Sequence, residues 1–344
     1  MSVPILDLVG DAYAVGYQHG SMLRERIQAF SRDGLFRINR ILYQPTSLCE
    51  LSATIKEYEA AIALSSPSLI DEISGLAVGA GISYEEAVLL QIRREVIGYR
   101  KVPSGGDCTA FARNDGDECA IGQTVDLNGD LDEHVCVLRC RRGAEGRTVL
   151  ILTFSGLLGY LGMNSDGLAI GLTLVLGGTW KPGLPPYLAI RHLLETAGSI
   201  QDCRDLLPHI RLASSRSLLL CDRTGAANVE WLDGVAKWTF AEEIIHTNHF
   251  LADELSQRDE INPFAKHASV RRLKACQDEL TKRPGRQTPE AYFDAFAVHP
   301  ICVHKDGNIR RESTVAAVVM KPREGNMYFR VGPPCLARTQ QVRI

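Results

Sequence analysis

Residues 104–112 read Ser-Gly-Gly-Asp-Cys-Thr-Ala-Phe-Ala, so that one cysteine follows two glycines and an aspartate. Pro103 and the glycines predict an exposed linker, the kind of segment at which chains are readily cut. We predict that the chain cleaves itself between Asp107 and Cys108, which makes Cys108 a new N-terminus. Its thiol would be the nucleophile, and its own α-amino group, with a pKa of about 7.7–8.0, would accept the thiol proton. No separate histidine is then required.

The composition is that of a folded globular protein, with 45% hydrophobic and 23% charged residues among 344. This length suits one large domain or two ordinary ones. The formal net charge is −3, and Lys/Arg pairs such as Arg271-Arg272 and Arg310-Arg311 are scattered and are not interleaved with aromatic residues. We therefore expect no nucleic-acid partner and a solvated position for most of these pairs.

The N-terminal segment contains acids but no basic region followed by an apolar core, so we expect no signal peptide. No window reaches the roughly 18 consecutive apolar residues that a membrane-spanning helix needs. The expected location is the cytoplasm, with no membrane partner.

Ten cysteines are spread over the chain without any Cys-x-x-Cys pair, which excludes a zinc ribbon and a thioredoxin-like motif. Cys136 and Cys140 lie in a strand-like run, where they would be small apolar fillers. Cys302 and His304 could share one face of a strand, but two ligands do not make a metal site. We therefore predict no metal and mostly reduced, buried thiols.

Two kinds of pattern follow each other along the chain. Residues 11–100 carry helical apolar spacing, with a capping box at Ser83-Tyr84-Glu85-Glu86. After Cys108 come short β-like segments, and 163–176 contain an Asn-Ser-Asp-Gly turn between two apolar runs. Further helices are predicted at 187–197, 200–207, 266–280 and 289–297. Strands are predicted at 314–321 and 326–331, near the end of the chain. The mixture predicts an α+β fold with an antiparallel sheet.

The neighbourhood of Cys108 resembles a known family. Gly-Asp-Cys-Thr-Ala-Phe-Ala, followed by Gly-Gln-Thr-Val-Asp-Leu at 122–127, is similar to the acyl-coenzyme A:6-aminopenicillanate acyltransferases. These are N-terminal-nucleophile enzymes related to bile salt hydrolases and penicillin V acylases. Four further motifs in the right order extend the resemblance over nearly the whole chain: Gly-Tyr-Gln-His-Gly at 16–20, Gly-Met-Asn-Ser-Asp-Gly-Leu at 162–168, Thr-Asn-His-Phe at 247–250 and Gly-Pro-Pro-Cys at 332–335.

The resemblance implies a four-layer αββα sandwich of the N-terminal-nucleophile hydrolase type. It also implies that an inactive precursor is processed by self-cleavage into a mainly helical chain of residues 1–107 and a larger chain of residues 108–344. The two chains would stay packed together as a heterodimer that forms one catalytic domain, while the oligomeric state stays open.

The resemblance also implies roles for individual residues. Cys108 matches the nucleophile, Asp126 the aspartate that orients the new amino terminus, and Asn248 the amide that stabilises the oxyanion. Asn164 matches an asparagine near the oxyanion in the related hydrolases, although it could simply form the turn before Gly167. The family also uses a late arginine near the nucleophile, for which Arg310 and Arg311 are the candidates, a solvated pair being the alternative.

Candidates for substrate binding are less specific. Gln123 stands where bile salt hydrolases have an arginine, and Leu157, Tyr160 and Trp180 either line an apolar acyl pocket or belong to the core. The predicted activity is hydrolysis or formation of a linear amide bond through a thioester acyl-enzyme, without a cofactor. A transferase that takes acyl groups from coenzyme A thioesters is the alternative enzyme. An unprocessed binding or scaffold protein is the alternative of another class.

Overall fold

The computed structural model describes residues 3–99, 108–143 and 146–344. The predicted cleavage position at Asp107, and the linker before it, lie outside the described residues. Among those residues, no helix combines the length and the apolar composition that crossing a bilayer requires.

Most helices and strands lie where the sequence patterns predict them. The helices are α1 (Ala12–Met22), α2 (Arg24–Arg32), α3 (Ile38–Ile41), α4 (Leu48–Ser65), α5 (Pro67–Ala80), α6 (Tyr84–Gln91), α7 (Arg93–Ile97), α8 (Pro186–Thr196), α9 (Ile200–Leu206), α10 (Asp253–Ser256), α11 (Pro263–Thr281) and α12 (Pro289–Phe296). The strands are β1 (Ile5–Gly10), β2 (Ala110–Asn114), β3 (Cys119–Leu127), β4 (Val135–Arg142), β5 (Thr148–Phe154), β6 (Leu161–Asn164), β7 (Ala169–Thr173), β8 (Arg216–Cys221), β9 (Ala226–Leu232), β10 (Val235–Ala241), β11 (Glu243–His246), β12 (Ser313–Lys321), β13 (Asn326–Val331) and β14 (Gln340–Arg343).

The strands form two sheets that pack face to face. The larger has the order β1-β4-β5-β6-β7-β8-β9-β10, and the smaller has the order β11-β2-β3-β12-β13-β14. Strand pairs are antiparallel except for β1 with β4. Strands β2 and β3 contact β7 and β8 of the larger sheet, while helices cover both outer faces, α1 and α8 on the larger sheet and α11 and α12 on the smaller. The predicted four-layer αββα sandwich is confirmed.

The sequence before the predicted cut is part of the same body as the sequence after it. Strand β1 pairs with β4 along its whole length. One continuous apolar core includes Leu8 of β1, Ile73 of α5 and Ile151 of β5, all fully buried. Residues 3–99 therefore contribute a sheet edge and a helical layer, which are not independent of the rest of the fold.

The glycines of the motif at 16–20 allow two helices to touch. A Cβ atom on Gly16 would lie only 1.9 Å from the carbonyl oxygen of Glu72. Cβ atoms on Gly20, Gly75 and Gly79 would lie 2.1–2.4 Å from backbone oxygens of the facing helix. Only glycine permits such a close backbone approach, so this motif is explained by the packing of α1 against α5.

His19, within that motif, is a core histidine. It is completely buried, and its Nε2 accepts a hydrogen bond from the backbone N–H of Gly156 at 3.2 Å. Burial, assisted by the charge of Arg191, lowers the pKa of His19 to about 3. The imidazole is therefore neutral near pH 7 and joins α1 to the turn that follows β5.

Candidate active site

Cys108 is held by the strand pair that follows it. The backbone N–H of Thr109 donates to Oγ1 of Thr124 at 3.0 Å, and the N–H of Thr124 donates back to the carbonyl of Thr109 at 2.9 Å. This pairing places the start of β2 beside β3. The Cys108 side chain is buried, and its Sγ lies 3.5 Å from the backbone nitrogen of Asp126. The same Sγ lies 3.6 Å from the carbonyl oxygen of Asp126, so the thiol is held against the backbone of that residue.

The Asp126 carboxylate is fixed at both oxygens. Thr124 donates its hydroxyl to Oδ2 at 2.6 Å, and Thr314 on β12 donates its hydroxyl to Oδ1. Asp126 is buried, and burying an ionised carboxylate is costly unless it is hydrogen-bonded and paired with a cation. The arrangement is suited to holding an ammonium group beside Cys108.

Arg272 connects the nucleophile to Asn248. Its Nη1 donates to the backbone carbonyl of Cys108 at 2.5 Å, and its Nη2 donates to Oδ1 of Asn248 at 3.1 Å. Asn248 is also held by a hydrogen bond from its backbone N–H to Oγ of Ser269 at 2.8 Å. Because Oδ1 faces a guanidinium, the amide orientation is determined. Its Nδ2 donates to the carbonyl of Leu174 at 2.9 Å, and Leu174 lines the pocket at Cys108, whereas Asn248 is fully buried behind it.

Arg272 was not singled out from the sequence, where the pair Arg271-Arg272 was expected to be solvated. Arg271 is exposed, but Arg272 is 1% exposed, so the expectation is wrong for the second residue of the pair. The buried stripe of α11 consists of Ser269, Arg272, Cys276 and Leu280. A polar pair at positions i and i+3 within an apolar helical stripe is the sequence feature that could have identified Arg272.

The two arginines proposed from the family resemblance lie elsewhere. Arg310 donates through Nε to the carbonyl of Ile41 at 3.1 Å and lies over the ring of Tyr43. Arg311 pairs with Asp306 at 2.6 Å, and its side chain is 71% exposed. Neither lines the pocket at Cys108. Within the described residues, the arginine that donates a hydrogen bond to Cys108 is therefore Arg272.

We predict that Arg272→Met slows both self-cleavage and turnover by roughly 10–100-fold. A hydrogen bond to a charged group contributes about 1.5–3 kcal/mol, and 1.36 kcal/mol corresponds to a factor of ten in rate. Initial rates and the cleaved fraction measure the effect, and Arg271→Met on the exposed face of the same helix is the matched control. Equal losses in the two variants, or a loss that follows thermal unfolding alone, would contradict a positioning role.

Asn164 is fully engaged in local structure. Its Oδ1 accepts from the backbone N–H groups of Asp166 and Leu168 at 3.2 and 3.1 Å. Its Nδ2 donates to the carbonyls of Leu194 and Ala197 at 2.9 and 2.8 Å. These contacts join the β6–β7 turn to the end of α8, and Asn164 does not line the pocket at Cys108.

Gln123 bridges the two sheets. From β3 it donates through Nε2 to the carbonyl of Leu172 on β7 at 2.6 Å, and its Oε1 accepts the N–H of Leu172 at 2.9 Å. Leu172 itself lines the pocket at Cys108. Gln123 therefore fixes a wall of the pocket, and both ends of its amide are already occupied.

Cys108 lines a pocket that adjoins a second, mostly apolar pocket. The two share Arg94, Leu127, Asn128, Tyr160 and Tyr187. The apolar walls of the second pocket include Phe30, Leu90, Leu131, Phe154 and Leu157. Tyr160 and Leu157, which the sequence left as candidates for an acyl pocket or for the core, thus line this pocket, whereas Trp180 lines neither of the two. Phe30 and Leu90 come from the part of the chain before the predicted cut.

A cationic wall faces the same space. Arg94 and Arg216 line the pocket at Cys108, and both guanidinium groups lie over the ring of Trp180, at 5.5 and 5.2 Å from its centroid. Neither Nη2 atom has a hydrogen-bond partner in the described structure, but Nη2 of Arg216 lies 3.8 Å from a carboxylate oxygen of the buried Glu95, and Glu312 lines the same pocket. Burial, together with the charge of Arg216, lowers the pKa of Arg94. Trp180 supports these arginines and donates its indole N–H to Oγ of Ser215 at 3.1 Å.

Comparisons with known proteins identify similar chains. A family model described as "Acyl-coenzyme A:6-aminopenicillanic acid acyl-transferase" matches residues 112–335. The acyl-coenzyme A:6-aminopenicillanic-acid-acyltransferase 40 kDa form of Emericella nidulans is 26% identical over 275 residues, which cover 77% of this chain and 75% of the relative. Penicillin V acylase from Agrobacterium tumefaciens superposes with a TM-score of 0.49 at 16% identity, over 69% of this chain and 86% of that one. A Caenorhabditis elegans N-acylethanolamine-hydrolyzing acid amidase ortholog superposes with a TM-score of 0.46 at 16% identity, over 62% and 92% of the two chains.

Proposed function

Because the chain belongs to the acyl-coenzyme A:6-aminopenicillanic acid acyl-transferase family, we propose that it is a self-processed enzyme with an N-terminal cysteine nucleophile. It cleaves or forms linear amide bonds through a thioester acyl-enzyme. The observation that carries this proposal is the position of the Cys108 thiol. It lies against the backbone of Asp126, whose carboxylate is fixed by two threonines, at the mouth of a pocket.

Self-cleavage comes first in the proposed sequence of steps. The Cys108 sulfur attacks the carbonyl carbon of Asp107, and the peptide nitrogen of Cys108 leaves as an amine. The product is a thioester between the Asp107 carbonyl and the Cys108 sulfur. Water then attacks the thioester, which releases a carboxylate on Asp107 and the free thiol of Cys108. The hydrogen bond from Arg272 to the Cys108 carbonyl supports this step because it holds the residue while the bond before it breaks.

Turnover uses the two groups that cleavage creates. The α-amino group accepts the thiol proton, and the thiolate attacks the substrate carbonyl. Asn248 donates a hydrogen bond from Nδ2 to the oxyanion, and the ammonium returns its proton to the leaving amine. Asp126 orients this amino group throughout and stabilises it while it is an ammonium. Water attacking the acyl-enzyme gives the free acid, and an amine attacking it gives a new amide.

The two adjoining pockets support a substrate with two chemically different parts. The apolar pocket that includes Leu157 and Phe154 is suited to an acyl chain. The buried guanidinium groups of Arg94 and Arg216 are suited to an oxygen-rich or anionic group next to the scissile bond, because guanidinium binds carboxylates and phosphates well. An acyl coenzyme A thioester remains the alternative donor, and the printed name of the Emericella relative favours it.

The experiment that tests the proposal compares acyl amides and acyl thioesters as substrates, with and without an added amine. We expect wild-type protein to release acid from an amide that carries an apolar acyl group and to divert product to a new amide when the amine is added. Cys108→Ala is the inactive control, and Cys49→Ser, at an exposed cysteine, is the matched active control. No turnover by wild-type protein, or equal turnover by Cys108→Ala, would instead favour an unprocessed binding or scaffold protein.

A further inference from the structure

Three soft metal-ligand atoms converge at one end of the six-stranded sheet. Cys302 and His304 lie in the segment that leads from α12 to β12, and Cys335 lies in the turn between β13 and β14. The Sγ atoms of Cys302 and Cys335 are 3.5 Å apart. Nε2 of His304 is 3.8 Å from the first sulfur and 3.4 Å from the second. The three atoms thus form a nearly equilateral triangle.

This triangle has the dimensions of one face of a zinc tetrahedron. Zinc binds cysteine sulfur at about 2.3 Å and histidine nitrogen at about 2.0–2.1 Å, which places tetrahedral neighbours about 3.5–3.8 Å apart. We propose that Cys302, His304 and Cys335 bind a Zn²⁺ ion. Two thiolates and an imidazole form a soft ligand set that does not suit Mg²⁺ or Ca²⁺.

The fourth coordination position is open to solvent. His304 and Cys335 are exposed, and only Cys302 is buried, so a water molecule can complete the tetrahedron. On binding, both thiols release their protons to solvent while the sulfurs bind the metal, and His304 binds through neutral Nε2. No oxidation or reduction takes part.

A second pair of cysteines in contact is not part of a metal site. The Sγ atoms of Cys119 and Cys221 are 3.2 Å apart, and both residues are buried. Their sulfurs are directed at the carbonyls of Asp222 and Arg113. Among the groups of soft and acidic ligands in the described residues, only Cys302, His304 and Cys335 bring three donor atoms together. From the sequence we predicted no metal, because only two ligands, Cys302 and His304, could be placed on one face of a strand.

The proposed zinc ion would brace a segment next to the catalytic aspartate. Val303, between two of the ligands, donates its N–H to Oγ1 of Thr314 at 3.0 Å and accepts the N–H of Thr314 at 2.8 Å. Thr314 in turn donates its hydroxyl to Asp126. A metal that joins residues 302–304 to the turn at Cys335 therefore restrains the strand end that holds Asp126. We expect its removal to lower the thermal midpoint before it affects chemistry.

The test uses the full-length protein, purified under reducing conditions, with Co²⁺ as a spectroscopic probe for zinc. Wild-type protein is expected to bind about one Co²⁺ per chain with thiolate-to-cobalt charge-transfer absorption and tetrahedral d–d bands, both removed by added Zn²⁺. Cys335→Ser and His304→Ala change exposed ligands, so neither should unfold the protein. Loss of a residue that hydrogen-bonds to a metal ligand typically weakens metal binding by roughly 10–100-fold. Each of these variants loses a ligand itself and should weaken Co²⁺ binding by more than that. Cys49→Ser, at an exposed cysteine away from the three ligands, is expected to behave as wild type.

A thermal measurement on the same proteins completes the test. A chelator should lower the unfolding midpoint of wild type and of Cys49→Ser but should not change that of Cys335→Ser. The proposal is overturned if wild-type protein shows no charge-transfer band or if Cys335→Ser shows the same band. It is also overturned if the mass of the non-reduced protein reveals a Cys302–Cys335 disulfide in place of bound metal.

Discussion

Asn248→Ala is expected to lower kcat by roughly 10²–10³-fold, with little change in KM. Loss of one oxyanion donor costs about 2.7–4 kcal/mol of transition-state stabilisation, because the charge on the oxygen develops only as the thiolate attacks. Asn248 is held for this task from two sides, by Arg272 at Oδ1 and by Ser269 at its backbone N–H. In the proposed mechanism its Nδ2 donates to the substrate oxygen from this fixed orientation.

Steady-state kinetics, expressed per cleaved chain, separate this effect from any effect on processing. Asn128→Ala is the matched control because Asn128 is likewise a buried asparagine, and it lines the pocket at Cys108. We expect that variant to change KM more than kcat. A rise in KM with unchanged kcat for Asn248→Ala would assign Asn248 to substrate binding and remove it from the oxyanion hole.

Asp126→Asn is expected to lower kcat/KM by about 10²–10⁴-fold, because the α-amino group that transfers the proton loses the carboxylate that orients it, and a positioned proton-transfer group contributes a factor in this range. The substitution keeps the shape of the side chain but removes the charge that holds the ammonium of Cys108. The threonines that donate to the carboxylate, Thr124 and Thr314, can rotate their hydroxyl groups toward the new amide, so the fold should persist. We also expect slower appearance of the cleaved chains.

Glu312→Gln is the matched control for Asp126→Asn. Glu312 is a second acid that lines the pocket, and the substitution removes the same charge while keeping the same shape. Kinetics per cleaved chain and a thermal unfolding curve should be recorded for both variants. If both variants lost activity equally, the total charge of the pocket would account for the loss, and the prediction of a specific role for Asp126 would be wrong.

Local sequence patterns were sufficient to predict most elements of the fold. The predicted helix at 266–280 is α11, Pro263–Thr281, and the predicted strand at 326–331 is β13, Asn326–Val331. Both have the spacing of apolar residues that their secondary structure requires. The capping box at Ser83 is present, with the Ser83 hydroxyl accepting from the Glu86 N–H and the Glu86 carboxylate accepting from the Ser83 N–H.

Contacts between distant parts of the chain were not predictable in this way. Strand β1 pairs with β4, about 130 residues away, and no local pattern predicts that partner. The helical stripe of α11 could have indicated that Arg272 is buried, but its contact with the carbonyl of Cys108, 164 residues away in the sequence, follows from no local pattern. Cys335 joins Cys302 and His304 only because two loops meet at one end of the sheet.

The motif resemblance identified candidate residues of the site but did not predict all of their contacts. It led to Cys108, Asp126 and Asn248. Cys108 and Asp126 line one pocket, and Arg272 joins Cys108 to Asn248. It also led to Arg310, which a long loop carries to the carbonyl of Ile41. The location of a loop residue in the fold is hard to predict from its place in the sequence, because the path of a loop is set by the elements that it packs against.

Intact-mass spectrometry of freshly purified wild-type protein beside Cys108→Ala tests the central claim most directly. We predict two fragments for wild type, residues 1–107 and 108–344, and a single uncut chain of 37.8 kDa for Cys108→Ala. Those masses would place the cut between Asp107 and Cys108 and assign it to the Cys108 thiol. A single uncut chain in active wild-type protein, or the same two fragments from Cys108→Ala, would contradict a nucleophile created by self-cleavage.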